Sequence, residues 1–215
     1  MYGKEKKWSV NMLSSKELIK TRKEEIVNAC EKLYKTMSFK DITMKVIAKS
    51  TTFTRTSIYN YFHTKEEIFL TLTKKEYDLW NKDLTEIIEK NKKLSKDNIA
   101  KEIAISLEKR EQMLKLVSMN HFDMEANSRP EILTEFKVSF GNSIKLVSQI
   151  IKKFCPEYTN TQVREFVYSF FPFVYGIYPY AIVNTEQKKA MEKAKVGYTY
   201  HTIYELAYSC IKKLL

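Results

Sequence analysis

The chain is poor in the residues that break or staple a backbone. Its 215 residues include four glycines, four prolines, three cysteines and three histidines. So little Gly and Pro argues against a turn-rich β fold, which draws on them at its hairpins. Cys30, Cys155 and Cys210 are widely spaced and form no Cys-x-x-Cys pair. That excludes a disulfide framework or a zinc site and fits buried apolar thiols in a reducing compartment. His63, His121 and His201 are far apart, and there is neither a Gly-rich phosphate loop nor an activated Ser or Cys pattern. The sequence therefore does not read as an enzyme and implies no cofactor. Residues 1–20 are polar and lack the apolar centre of a secretory signal, so a cytoplasmic location is expected.

One long segment lacks charge. Residues 166–185 carry no charged side chain, about the length of a membrane span. They include Pro172, Gly176 and Pro179, however, and their tyrosines are spread along the segment rather than belted at its ends. A buried interface helix is the better expectation, with no membrane partner.

What the chain has is positive charge gathered at one end. Residues 1–75 hold 16 Lys and Arg against 8 Asp and Glu, and the remainder holds 21 against 18. A basic first third on a nearly balanced remainder points to a polyanion as partner, although a merely solubilising surface has the same composition.

Apolar residues recur at helical spacing, and no stretch alternates with a sustained two-residue period, so the expected fold is all-α. Residues 14–17, Ser-Ser-Lys-Glu, have capping-box spacing. Ile19, Ile26, Val27, Cys30, Leu33 and Tyr34 then share one face of a helix ending near Met37 and Ser38. Thr43 can cap a short helix holding Val46, Ile47 and Ala48. Residues 50–53 make a turn, and Thr54 caps a second short helix whose Ile58 and Phe62 face inward. Thr64-Lys65-Glu66-Glu67 is another capping box, opening a long helix to about Glu89 that the polar stretch 91–98 ends. Further helices are expected near 99–118, 130–154, 161–183 and 198–214, with shorter pieces near 120–127 and 186–195.

The run 43–65, TMKVIAKSTTFTRTSIYNYFHTK, is the most informative part of the chain. Two short helices around a polar turn read as a helix-turn-helix whose second helix enters a DNA major groove. Thr54, Arg55, Thr56 and Ser57 form its first turn, where small hydroxyls allow close approach and Arg55 can fork onto guanine. Tyr59 and Tyr61, two apart, point to different sides, so one ring is a candidate for burial; Asn60 between them could read adenine. Lys65 in a helix's first turn opposes the macrodipole, a penalty that a docked phosphate would offset.

Thr21-Arg22, Ile26, Ala29, Leu33-Tyr34, Phe39, Ile42-Thr43, Ile47-Ala48, Ile58-Tyr59, Tyr61-Phe62 and Lys65-Glu66-Glu67-Ile68-Phe69 together resemble the N-terminal domain of the tetracycline repressor (TetR) family. The resemblance covers about residues 20–80. It implies a three-helix DNA-binding head, with the motif at about 43–62, and a helical effector-binding and dimerisation body over 81–215. It places Thr43 at a phosphate, and Tyr59 and Tyr61 at phosphates or base edges. The expected DNA-binding set is thus Thr43, Thr54, Arg55, Thr56, Ser57, Tyr59, Asn60, Tyr61 and Lys65. Two positions depart from the family pattern: Met37 and Thr52 stand where glycine is usual. A β-branched residue at positive φ is strained, so either the turn is built differently or some stability has been given up.

In the body, the polar stretch 121–129 reads either as a hydrated turn or as an anchor for an effector through Glu125, Asn127 or Arg129. A metal site from His121, Asp123 and Glu125 is disfavoured because alternate helical positions diverge. Tyr77 and Trp80 sit where the family couples effector to head, or else are plain core; with Phe170 and Tyr175 they complete the expected effector-binding group. Ile203, Ala207, Ile211 and Leu214 form a stripe on the last helix. With Phe171, Val174 and Tyr178 it resembles the family's four-helix dimer interface, though a core helix would show the same spacing. The expected protein is a homodimeric, cytoplasmic regulator, most simply a repressor, on a near-palindromic double-stranded DNA operator and released by a small-molecule effector. A TetR-fold adaptor or nucleoid-associated protein without an inducer is the alternative.

Overall fold

The computed structural model describes residues 15–119 and 121–215. Among the described residues there are eleven helices and no strand. They form two compact units, the first ending at Ile68 and the second running from Phe69 to Leu215.

The first unit holds α1 (Ser15–Tyr34), α2 (Met44–Lys49), α3 (Arg55–Ile58) and the first turn of α4 (Lys65–Lys90). The capping box expected at 14–17 rests on Ser14, which lies outside the described residues. Helix α1 buries Ile26, Val27, Ala29, Cys30 and Tyr34, as its 3.6-residue period requires. Ile19, expected on that face, is 48% exposed, and Leu33 is half-buried. Both short helices are capped as expected: Thr43 Oγ1 accepts from Val46 N at 3.3 Å and Thr54 Oγ1 from Ser57 N at 3.1 Å. Beyond Ile58 the chain keeps turning, with Tyr61 N and Phe62 N both donating to the Ile58 carbonyl. Ile42, Met44, Ile47, Ile58, Phe62, Glu67 and Ile68 complete the unit's buried side chains among the described residues.

The second unit continues α4 and adds α5 (Lys96–Glu108), α6 (Glu111–Val117), α7 (His121–Ala126), α8 (Pro130–Phe154), α9 (Asn160–Ala181), α10 (Thr185–Lys193) and α11 (Ile203–Leu214). The single helix expected over 99–118 is two. The chain leaves helical geometry at Arg110 (φ −112, ψ 39), whose guanidinium forks onto the Asp83 carboxylate at 2.6 and 2.8 Å. A bidentate charged pair that is four-fifths buried holds this corner against α4. Helix α9 runs through Pro172 and Pro179. Both prolines are on its exposed face, where the carbonyl each leaves unbonded can be hydrated.

The α11 stripe expected at a dimer interface packs within the single chain. Ile203, Ala207 and Ile211 are 5%, 0% and 0% exposed within the single chain, where α11 lies against α5 and α9. Phe171 and Val174 of α9 are buried in the same core, and Tyr178 and Leu214 pack half-buried against it. A side chain with no exposed surface has none left to bury against a second copy. No single helix among the described residues is long and apolar enough to cross a membrane; α9 and α10 meet that test together but meet each other at 84°.

Candidate nucleic-acid interface

Four of the nine expected DNA-binding residues converge on the head's surface. Thr43, Arg55, Tyr59 and Lys65, with Met44 and Lys45, line an open concavity of about 420 Å³. Thr43 caps α2, Arg55 opens α3 and Tyr59 ends it, and Lys65 opens α4, so four boundaries of three helices meet there. Arg55 and Tyr59 are one turn apart: the guanidinium lies 5.8 Å from the ring centroid and Nη2 donates to the phenol at 3.3 Å. Thr56 and Asn60 are exposed beside them. Thr54 and Ser57 have a different role, sharing a hydroxyl bond of 2.9 Å within the cap. Lys45 belongs to this surface and was missed; like Lys65 it is a cation in the first turn of a helix, which was the available signal.

Lys65 has a structural partner. Its Nζ donates to the Phe39 carbonyl at 2.8 Å and sits 4.0 Å from the Phe39 ring centroid. Glu66 and Glu67 share its helical turn and complement the dipole that Lys65 opposes. A docked phosphate is therefore not needed to explain this lysine, but the bond to Phe39 occupies one of three ammonium donors. At the start of α4 Glu67 N donates to Thr64 Oγ1 at 3.1 Å, the first half of the expected box, and the buried Glu67 carboxylate accepts from His63 N at 2.8 Å, one residue before the cap.

Tyr61 turns inward, half-buried and edge-on to Phe53 with ring centroids 5.9 Å apart; its hydroxyl accepts from Arg22 Nη1 at 3.0 Å. Its polar end thus faces α1 rather than the concavity. The turn is built differently from the glycine form: neither Met37 nor Thr52 has positive φ. Instead the Thr52 amide and hydroxyl both donate to Glu25 Oε1 at 2.8 Å.

In the second unit Tyr77, Trp80, Phe170 and Tyr175 join one buried ring cluster with Phe136, Phe140 and Phe171. Two polar contacts lie inside it. Trp80 Nε1 donates to Ser106 Oγ at 3.0 Å, and the Tyr77 and Tyr175 hydroxyls are 3.5 Å apart. Burial, then the neighbouring Tyr175 phenol, pushes Tyr77 well above its usual range, so it stays a neutral donor. Glu125 stands at the edge of the cluster, paired with Lys137 at 2.6 Å; burial raises Tyr175 above its usual range, and the Glu125 charge adds to that in the same direction. Asn127 does not join; its amide donates to the Asp123 carbonyl at 2.7 Å, closing α7. The side chain of His121 lies outside the described residues.

A family model described as tetracyclin repressor-like, C-terminal domain, matches residues 74–203. No curated protein matches the chain. Two solved structures are similar in fold. The fatty acid degradation regulator FadR from Bacillus halodurans has a TM-score of 0.55 and 13% identity, covering 90% of this chain and 94% of its own. The transcriptional regulator FadR from Bacillus subtilis, solved in complex with stearoyl-CoA, has a TM-score of 0.56 and 15% identity over 89% and 96%.

Proposed function

The chain belongs to the tetracycline repressor-like family of transcriptional regulators, and from that premise we propose that it is a ligand-responsive repressor binding a near-palindromic operator as a homodimer. The observation that carries the reading is the convergence of Thr43, Lys45, Arg55, Tyr59 and Lys65 on one surface of the basic head. Arg55 and Thr56 read base edges, with Asn60 beside them. Thr43, Lys45, Tyr59 and Lys65 hold phosphates. Thr54, Ser57 and Tyr61 shape that surface through the contacts they make inside the head. Two such heads, about 34 Å apart, match successive major grooves on one side of a duplex.

The second copy is assigned to the outer face of α9. There Tyr168, Ser169, Pro172, Gly176 and Pro179 recur at helical spacing without charge, and Tyr168 is 74% exposed. The outer face of α11 carries Glu205, Ser209 and Lys212, which suits solvent better.

The effector is assigned to the ring cluster around Tyr77, Trp80, Phe170 and Tyr175, with Glu125 at its edge. Tyr77 and Trp80 belong to α4, the helix whose first turn carries Lys65. A ligand that displaces these rings favours one placement of α4 over another, and so couples to DNA affinity through its differential binding to two states. Because the Bacillus subtilis neighbour was solved with stearoyl-CoA, long-chain acyl-CoA is the first effector to test.

The experiment is selection of duplexes from a random pool by the purified protein, followed by footprinting with and without stearoyl-CoA. Enrichment of one palindrome supports the regulator, and its release by ligand supports the effector class. A protein that enriches no sequence is instead an adaptor or a nucleoid-associated protein of the same fold.

A further inference from the structure

Two side chains of α1, Arg22 and Glu25, stand one helical turn apart and reach the two ends of the recognition segment. Glu25 Oε1 accepts both the amide and the hydroxyl of Thr52, each at 2.8 Å, in the turn that precedes the Thr54 cap. Arg22 Nη1 donates to the Tyr61 hydroxyl at 3.0 Å, beyond the end of α3. Its guanidinium also lies 5.9 Å from the Phe53 ring, which packs edge-on against Tyr61. Helix α3 has four residues, too few to hold its own direction by backbone bonds. Its direction therefore depends on what fixes the chain before and after it.

We propose that Glu25 is a positioning residue for DNA recognition. It fixes the start of the recognition segment through the acceptor geometry of Oε1 on Thr52, with Arg22 and Tyr61 bracing the far end. This rests on the DNA-binding reading above. The carboxylate takes over the task that a tight glycine turn would perform, and Thr52 is suited to it because a threonine brings a second donor beside its amide. A carboxylate accepting two donors at one oxygen holds the turn in both direction and distance. If the turn swings, Arg55 and Thr56 move off their base edges while the lysines can still find phosphates. Sequence discrimination then falls further than overall DNA affinity.

The test compares Glu25→Gln and Glu25→Ala with wild type on a duplex enriched from the random pool and on a scrambled duplex. Gln keeps a carbonyl oxygen able to accept both Thr52 donors but carries no charge; Ala keeps neither. The enriched-to-scrambled affinity ratio should stay within about twofold for Gln and fall by about tenfold or more for Ala, with the salt slope unchanged in both. Equal ratios for the two variants, or a wild-type ratio in Glu25→Ala, overturn the proposal. If Glu25→Ala fails to fold, Thr52→Val carries the test, since it removes one of the two donors and keeps the β-branch. A loss of about threefold is then expected, and no loss overturns the proposal. Amide exchange at Thr52 should quicken in Ala and remain slow in Gln. A wild-type protein that enriches no sequence overturns the DNA-binding reading itself, whereas a discriminating wild type with an unaltered Ala ratio removes only the role of Glu25.

Discussion

Ile211→Ala decides whether the last helix is core or interface. Ile211 is fully buried in the second unit's core, on a helix that lies against α5 and α9. Truncating a buried isoleucine removes its transfer free energy and leaves a cavity, about 2–5 kcal/mol in well-packed cores. Against a typical stability of about 5–15 kcal/mol this is severe, and at about 2–4 °C per kcal/mol it lowers Tm by about 4–20 °C. Ala207→Glu should be worse, because a carboxylate would replace a methyl group that has no exposure. Gly176→Arg supplies the contrast. Gly176 is exposed on α9, and a Cβ built there meets nothing within 4 Å. Replacing glycine in a helix gains up to about 1 kcal/mol of propensity, so the subunit should be as stable as before. If α9 meets a second copy there, the arginine breaks the dimer. Thermal melts at several protein concentrations and sedimentation read both effects, because a dimer's Tm depends on concentration and a monomer's does not. Ile211→Ala giving folded monomers of unchanged Tm would refute the core placement of α11. A Gly176→Arg protein that remains a dimer would refute the α9 interface.

Lys65→Ala should shallow the salt dependence of operator binding by about one counterion per half-site and also lower head stability, since it loses the Phe39 bond; an unchanged salt slope would leave Lys65 a purely structural residue. Arg55→Ala should cost about 1–3 kcal/mol per half-site on the enriched duplex and far less on scrambled DNA, measured by competition; an equal loss on both would make it a phosphate contact. Thiol labelling of the native protein near pH 8 should modify half-buried Cys210 before Cys30, whose thiol burial pushes up to about 12; early modification of Cys30 would contradict the head's packing. Bonds from Lys101, then Tyr208, hold the Asp97 carboxyl below its usual range, so its stabilising contribution is fully present above the unfolded value near 3.8, shrinks below it and is lost as pH falls through the lowered folded value. Asp97→Asn should therefore melt below wild type at pH 7, with the gap narrowing steadily below about pH 4; a gap as wide at pH 2 as at pH 7 contradicts the assignment.

Much of this molecule follows from local rules. The caps at Thr43, Thr54 and Thr64 act between residues three apart, so the sequence alone places the starts of α2, α3 and α4. The period of Ile26, Cys30 and Tyr34 marks a buried face for the same reason, and the glycine-poor, helix-patterned composition settles an all-α chain. The converging residues at 43, 55, 59 and 65 were legible because helix starts lie at known intervals within one short motif. Other features depend on partners distant in sequence. An apolar stripe such as Ile203, Ala207 and Ile211 states that a face must be buried but not by what, and tertiary packing assigns it to α5 and α9 of the same chain. The break at Arg110 answers to Asp83, 27 residues earlier, and the turn at Thr52 answers to Glu25, 27 residues before it. Tyr61 turns to Arg22 rather than outward for the same kind of reason. Local backbone chemistry decides where helices begin; which of their side chains remain at the surface is decided by the chain that folds over them.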